Sequence, residues 1–157
     1  MAVKEGGKAP AFKGVDQDGK TISLADYKGK KVVMFFYPRD NTPTCTVQAC
    51  NLRDNFGLLQ QEGFHVIGIS TDSVKSHKKF EQKFSLPFPL IADEDLVIVQ
   101  KYDVWGEKKF MGKTFDGIHR TTFIIDEEGK IRKIIKKPNT KDHAQEIITA
   151  WNDSLGG

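Results

Sequence analysis

The chain contains two cysteines, Cys45 and Cys50, which lie five residues apart. The residues before Cys45 are Thr42-Pro43-Thr44, a pattern typical of a helix start, because threonine caps helices and proline suits the first helical position. Cys45 then falls in the first helical turn, where backbone N–H groups have no intrahelical partner and the helix dipole is positive. This setting favours a thiolate over a thiol. The sequence therefore predicts that Cys45 is a reactive nucleophile.

The spacing of the two cysteines limits what they can do together. On an ideal helix, residues five apart have Cα atoms about 8–9 Å apart, whereas a disulfide needs Cα atoms within about 7 Å. Cys45 and Cys50 therefore cannot bond while both belong to one regular helix. Two interpretations stay open: Cys50 takes no part in the chemistry, or the helix start unwinds once Cys45 is oxidised. A zinc site is poorly supported by a C-x₄-C spacing with scattered histidines, so no metal or cofactor is expected.

The elements that must position these cysteines predict an α/β fold. The apolar runs 32–37 and 64–70 are typical of buried strands, and a helix over 43–62 would join them as a parallel unit. Cys45 then follows the carboxyl end of a strand, where the functional crevice of such sheets lies. The remaining elements are predicted in chain order as a hairpin over 12–24, a basic, mostly exposed helix over 74–84, a strand at 90–91, a short helix over 93–102, a loop over 104–118, a hairpin over 120–136, and a last helix from a Thr140 cap to about Trp151.

Length and composition exclude several classes of protein. With 157 residues, of which 38% are hydrophobic and 29% charged, the chain is predicted to form one domain over residues 1–157. No apolar run approaches the ~20 residues that span a bilayer, and the first eight residues lack the apolar segment of a secretory signal. We therefore expect a cytoplasmic protein with reduced thiols and no membrane partner. Residues 130–137 alternate basic with apolar side chains, which favours a half-exposed strand over a nucleic-acid surface.

Several of these residues together form a known pattern. Pro38-x-x-x-Thr42-x-x-Cys45 resembles the active-site signature of the peroxiredoxins, a family of thiol peroxidases. Arg120 falls where the active-site arginine of that family opens a late strand. Cys50 matches the resolving-cysteine position of the Q-type, or bacterioferritin-comigratory, subfamily.

The likeness extends beyond the signature, from residues 7–10 to the last helix. Residues 104–107 and 110–113 also resemble the Q-type subfamily. Thr44 departs from the pattern, since many relatives have glycine just before the cysteine. This departure bears on the reaction rate rather than on the chemistry.

The resemblance implies a fold and an activity. The fold would be thioredoxin-like, with a central mixed sheet flanked by helices and an N-terminal hairpin. Hydrogen peroxide or an organic hydroperoxide would oxidise Cys45, the peroxidatic cysteine, to a sulfenic acid. Cys50, the resolving cysteine, would then close an intramolecular disulfide, which thioredoxin or a similar dithiol protein would reopen. The resemblance also implies a monomer, and it requires the helical turns over 42–52 to be the least stable ones.

The resemblance assigns roles to three further residues. The guanidinium of Arg120 would stabilise the thiolate and the charge that grows on the leaving oxygen. Thr42 would offer its hydroxyl to the sulfur or the peroxide, and Pro38 would shield the sulfur from bulk water. His77 and His143 are expected to be exposed.

Two other functions remain open from the residues alone. A general dithiol–disulfide oxidoreductase is one, although such proteins usually carry C-x-x-C at the helix start. The other is a binding domain that presents Trp105, Phe110 and Phe115 on an exposed loop. Insulin reduction would reveal the first, and full activity in a Cys45→Ser variant would favour the second.

Overall fold

The computed structural model describes residues 3–155, which contain a seven-stranded mixed sheet. None of the helices in this range is long and apolar enough to cross a membrane. In chain order the elements are β1 (Lys13–Val15), β2 (Thr21–Ser23), a 3-10 helix (Leu24–Tyr27), β3 (Lys31–Phe36), α1 (Pro43–Asp54), α2 (Phe56–Gln61), β4 (Phe64–Ser70), α3 (Val74–Phe84), β5 (Leu90–Ala92), α4 (Val97–Lys101), β6 (Trp105–Phe110), β7 (Lys113–Ile118), β8 (Thr121–Ile125), β9 (Ile131–Ile135) and α5 (His143–Leu155).

The sheet has the strand order β2-β1-β5-β4-β3-β8-β9, and β6 and β7 form a separate hairpin. The predicted parallel unit is confirmed, because β3 pairs with β4 from Lys31 opposite Phe64 to Phe36 opposite Ile69. β5 is parallel to β4, whereas β8, β9, β1 and β2 are antiparallel to their neighbours. The mixed sheet, the flanking helices and the N-terminal hairpin confirm the expected thioredoxin-like architecture.

β3 runs through the middle of the core and is covered on both faces. Phe35 belongs to a cluster with Ala49 of α1 and Phe80 of α3. The next side chain, Phe36, points to the opposite face and packs on Tyr102, with ring centroids 5.5 Å apart. A strand buried on both faces reads as a continuous apolar run, which is why this strand could be predicted.

The single helix predicted over 43–62 is wrong. α1 ends at Asp54 and α2 begins at Phe56, with Asn55 between them at φ −111° and ψ 16°. The Asn55 side-chain amide donates to the Asn51 carbonyl at 2.9 Å, so it competes with the helical backbone for that acceptor. Gly57 further weakens helix propensity at this point.

The loop predicted over 104–118 is also wrong, since these residues form the β6–β7 hairpin. Its turn is Met111–Gly112, with φ values of 51° and 78°, as two-residue hairpin turns require. Most side chains of this hairpin are exposed on both faces. The sequence therefore lacks the apolar alternation that identifies a half-buried strand.

Two helices begin later than the sequence predicts. α4 begins at Val97 rather than near Asp93, but the Asp93 carboxylate still accepts from the backbone N–H of Val97, Ile98 and Val99 at 3.1, 3.1 and 2.8 Å. α5 begins at His143 rather than at a Thr140 cap, and it continues to Leu155.

Candidate active site

The loop between β3 and α1 delivers Cys45 to the carboxyl edge of the sheet. Asn41 takes a left-handed backbone at φ 59°, and Thr42 then occupies the N-cap position, with Pro43 as the first helical residue. This confirms the predicted helix start. The first helical hydrogen bond runs from Thr46 N to Thr42 O at 2.9 Å. Cys45 lies within this first turn, and its side chain is 1% exposed.

Arg120 reaches Cys45 because β8 runs antiparallel to β3. Phe36, at the end of β3, pairs with Thr121, the first residue of β8. Arg120 therefore lies beside the carboxyl end of β3. Its Nη2 donates to Cys45 Sγ at 3.3 Å, and its Nη1 donates to Gln48 Oε1 at 2.6 Å. A fixed cation at hydrogen-bonding distance from a sulfur favours the anionic sulfur.

Gln48 is a site residue that the sequence reasoning missed. Its side chain is fully buried and accepts from Arg120. Its Nε2 has no hydrogen-bond partner among the protein atoms of residues 3–155. Leaving a buried donor unpaired costs about 1–3 kcal/mol. A signal was available, because Gln48 is three residues after Cys45 and therefore on the same side of α1.

Thr42 and Pro38 lie in the loop that leads to Cys45. The Thr42 hydroxyl donates to the Arg39 carbonyl at 3.0 Å and makes no capping bond with its side chain. The hydroxyl oxygen still has lone pairs with which it can accept. Pro38 is half-buried at the end of the strand.

Cys50 lies on α1, is half-buried, and is a free thiol like Cys45. Burial raises the pKa of the Cys50 thiol, the charge of Arg53 opposes this, and the charge of Asp54 adds to it. Cys50 therefore stays protonated at neutral pH. The structure places the two cysteines on one helix and does not bring them into a bond.

A buried polar network holds the active-site loop in place. Tyr37 donates its hydroxyl to Asp40 Oδ1 at 2.6 Å, and Ser76 donates its hydroxyl to Asp40 Oδ2 at 2.7 Å. His77 lies 2.7 Å from Asp40 Oδ2 through Nδ1 and 2.9 Å from the Ile91 carbonyl through Nε2. Burial, followed by the charge of Asp40, raises the pKa of Tyr37 well above its usual value, so the phenol remains a donor. The network ties the loop to α3 and β5.

The expected exposure of His77 and His143 is wrong, because both side chains are fully buried. His143 lies between Thr122 Oγ1 and Glu146 Oε1, each 2.8 Å from one ring nitrogen. Burial lowers the pKa of His143, Glu146 opposes this, and the charge of Arg120 adds to it. The sequence pattern predicts that a polar residue on an amphipathic helix is exposed. It does not show the hydrogen-bond partners that other elements supply to a buried histidine.

Lys108 is a second cation near the site that the sequence did not predict. Its Nζ donates to the Ile118 carbonyl at 2.8 Å. Burial and the charge of Arg120 lower the pKa of Lys108, whereas the nearby Cys45 raises it. Because Lys108 belongs to the hairpin that was predicted as a loop, its position could not be anticipated.

One group of possible metal ligands exists among residues 3–155. Asp40, Asp72 and His77 have ligand atoms within 4.8 Å of one another. Protein donors already occupy these oxygens, since Asp72 Oδ2 accepts from Asp40 N at 2.8 Å and from Ser70 Oγ at 2.7 Å. The group contains neither cysteine, so it lends no support to the zinc interpretation.

The chain is similar to known proteins along most of its length. Residues 6–134 match the model of the AhpC/TSA family. Peroxiredoxin Bcp of Escherichia coli K12 is 46% identical over 149 residues, which cover 95% of each chain. Peroxiredoxin Bcp of Bacillus subtilis is 41% identical over 153 residues, which cover 98% of each chain. The bacterioferritin comigratory protein of Xanthomonas campestris, solved to study its alkyl peroxide reduction activity, has a TM-score of 0.84 at 31% identity over 90% of each chain.

Proposed function

The chain belongs to the AhpC/TSA family, as a thiol peroxidase of the Bcp type, and we propose that Cys45 is its peroxidatic cysteine. The observation that carries this assignment is the 3.3 Å contact between Arg120 Nη2 and Cys45 Sγ. Cys45 also lies in the first turn of α1, where the helix dipole favours an anion. Burial raises the pKa of Cys50 although the charge of Arg53 opposes this, so Cys50 is the poorer nucleophile.

In the first step, the Cys45 thiolate attacks the terminal oxygen of a hydroperoxide. The O–O bond breaks, the sulfur becomes a sulfenic acid, and the leaving oxygen takes up a proton and departs as an alcohol or as water. Arg120 stabilises the charge that grows on the leaving oxygen. Thr42 accepts a hydrogen bond from the peroxide through its hydroxyl oxygen, and the half-buried Pro38 limits access of water. We propose both hydrogen peroxide and organic hydroperoxides as substrates.

In the second step, the Cys50 thiol attacks the sulfenic sulfur of Cys45. A disulfide forms and water leaves. Both cysteines belong to α1, and on a regular helix their Cα atoms would be about 8–9 Å apart. A disulfide needs about 7 Å or less, so part of α1 must unwind before the bond forms.

In the third step, a thiol reductant reopens the disulfide, and we propose that this reductant is thioredoxin. One of its thiolates attacks the disulfide and forms a mixed disulfide, and its second thiol then displaces the enzyme. Two electrons and two protons are transferred, which returns Cys45 and Cys50 to their starting state. We further propose that the enzyme acts as a single-domain monomer in the cytoplasm, where thiols are kept reduced.

A coupled assay tests the scheme. Peroxide-dependent oxidation of NADPH through thioredoxin and its reductase is measured for the wild type, Cys45→Ser and Cys50→Ser. We expect activity in the wild type, none in Cys45→Ser, and a strong reduction in Cys50→Ser. Full activity in Cys45→Ser would exclude the thiol mechanism, and insulin reduction faster than peroxide consumption would favour a general oxidoreductase.

A mass measurement tests the disulfide separately. After one equivalent of peroxide, the unreduced wild type should lose the mass of two hydrogen atoms. A sulfinic acid on Cys45, or an intermolecular dimer, would show that Cys50 does not resolve within the chain. Cys50→Ser serves as the matched control, since it cannot close the internal bridge.

A further inference from the structure

A cleft lined by lysines lies beside the active-site loop. Lys75, Lys79 and Lys83 follow one another at four-residue spacing on α3, and all three are exposed. They line a cleft of about 520 Å³ together with Asp40 and Asn41 of the loop before α1. We call this feature the lysine cleft.

The charges of the lysine cleft are not compensated within residues 3–155. None of its three lysines lies within ion-pairing distance of a carboxylate, whereas the neighbouring Lys78 pairs with both Asp18 and Glu81. Like charges four residues apart on a helix repel one another, and Lys75 also lies near the positive end of the α3 dipole. The arrangement therefore disfavours the helix on its own, and an acidic surface placed on it would relieve the repulsion.

The two loop residues of the cleft do not neutralise it. Asn41 is uncharged and accepts from Lys83 Nζ at 3.3 Å through its side-chain oxygen. Asp40 is only 9% exposed, and its carboxylate accepts hydrogen bonds from the hydroxyls of Tyr37 and Ser76. The accessible groups of the cleft are therefore cationic or neutral.

The position of the cleft connects it with the redox chemistry. Asn41 precedes Cys45 by four residues, and the side chains of Cys45 in α1 and Phe80 in α3 belong to one buried cluster. Arg53 near the end of α1 donates to the Phe84 carbonyl at the end of α3 at 2.7 Å. A protein partner buries roughly 800 Å² on each side. A protein that contacts α1 near Arg53 therefore also reaches the adjoining end of α3.

We propose that the lysine cleft is the docking surface for the dithiol protein that reduces the disulfide, and that this partner carries acidic residues beside its dithiol. The inference rests on the proposed function, because it concerns the third step of that cycle. The lysines span eight residues, which is about 12 Å along a helix, a length that suits a protein surface better than a small anion. A two-fold contact centred on the cleft would set lysines against lysines, so a second copy bound in this way is a poor occupant.

Charge reversal tests the proposal on the full-length protein, oxidised beforehand with one equivalent of peroxide. The test variant is K75E/K79E/K83E, and the control is K13E/K28E/K137E, which changes three exposed lysines that do not line the cleft. Both variants lower the net charge from +3 to about −3, so they differ only in where the charge lies. Reduction by thioredoxin and by dithiothreitol is followed by stopped flow at low and high salt.

We expect the test variant to be reduced by thioredoxin at least about tenfold more slowly than the control at low salt, with the difference shrinking as salt rises. Reduction by dithiothreitol and oxidation by peroxide should stay within about twofold of the wild type, because these small reagents need no docking surface. Equal thioredoxin rates in the two variants, or an equal loss with dithiothreitol, would overturn the proposal. A dimer in the wild type that dissociates in the test variant would also overturn it. Failure of the proposed function is distinct, since it would appear as the absence of any peroxide-induced disulfide.

Discussion

The guanidinium of Arg120 donates to both the sulfur of Cys45 and the side-chain amide of Gln48, and these two contacts make the site rigid. One branch contacts Cys45, and the other is fixed by Gln48 at 2.6 Å. Because the guanidinium is planar, fixing one nitrogen orients the others. Gln48 therefore positions the cation, and its own Nε2 has no hydrogen-bond partner among the described residues 3–155. We infer that this donor is kept for an oxygen of the substrate or of the sulfenic acid.

Replacing Gln48 by methionine should separate activity from stability. The variant loses the bond to Arg120, but it also removes the unpaired donor, and the two contributions of about 1–3 kcal/mol have opposite signs. We expect the free energy of unfolding to change by less than about 1 kcal/mol while the rate constant for peroxide falls about tenfold. Urea unfolding and stopped-flow oxidation measure the two quantities. Gln60→Met, at an exposed glutamine of α2, is the control, and an unchanged peroxide rate in Gln48→Met would refute the role.

The helix start that carries Cys45 could be predicted because its signal is local. Pro38, Thr42 and Cys45 lie within eight residues, and the N-cap and first helical residue are encoded in the same segment. Gln48 and His77 were not recognised, since their roles depend on partners far away in the chain. Arg120 was placed only through the family resemblance, because nothing in its local sequence shows that β8 runs beside β3.

α1 is anchored unevenly along its length. Its C-terminal half is held by Leu52, which is fully buried, and by Asn51, whose side chain donates to the Lys141 carbonyl and accepts from Ala144 N at the start of α5. Its first turn is held by the burial of Cys45 and by the contact of Cys45 with Arg120. The unwinding that disulfide formation requires therefore costs the least free energy at the N-terminal end of α1.

Hydrogen exchange should locate the unwinding. After oxidation, we expect amides of residues 46–48 to lose protection, whereas those of residues 51–54 keep it because Asn51 and Leu52 stay anchored. This narrows the unstable region expected from the sequence, which extended over 42–52. The measurement compares reduced and oxidised wild type by mass spectrometry. Peroxide-treated Cys50→Ser should show no such change, and loss of protection throughout α1 would contradict the anchoring.

His143 in α5 makes the free energy of unfolding depend on pH. Burial lowers the pKa of this histidine in the folded state, so below about pH 6.5 the unfolded chain binds a proton that the folded chain does not. Stability should therefore fall as the pH drops from 7 to 5.5. We expect this fall to be smaller in His143→Gln than in the wild type, as measured by urea unfolding at each pH. His119→Gln, at an exposed histidine, is the control, and equal slopes in all three proteins would exclude the effect.

Each element whose type or bounds differ from the sequence prediction differs for an identifiable physical reason. The β6–β7 hairpin has little buried surface to impose a periodic pattern, and the break at Asn55 comes from a side-chain amide that competes for a helical carbonyl. The start of α5 is capped by Asn51 from another helix. By contrast, β3 and β4 are buried on both sides, and their apolar runs predicted them within one residue at each end.

In the whole molecule, the candidate active site is part of one of the two hydrophobic clusters that form the core. Cys45 belongs to the cluster that also contains Phe35 of β3, Phe80 of α3 and Trp151 of α5. Moving Cys45 out of this cluster therefore affects the packing of the whole face of the sheet. The reaction cycle and the global stability are coupled for this reason.

Oxidation should lower the global stability. A disulfide between Cys45 and Cys50 closes a loop so short that it adds only about 2 kcal/mol by constraining the unfolded chain. Forming it removes the first turn of α1, the burial of Cys45 and the bond to Arg120, a charge-assisted interaction of about 1.5–3 kcal/mol. We expect the oxidised protein to unfold at a lower urea concentration, with a loss of about 1–3 kcal/mol. Cys50→Ser kept reduced should match the reduced wild type within about 1 kcal/mol. By linkage, a less stable oxidised form is more easily reduced. If the oxidised protein proved more stable than the reduced one, this result would argue against unwinding of α1.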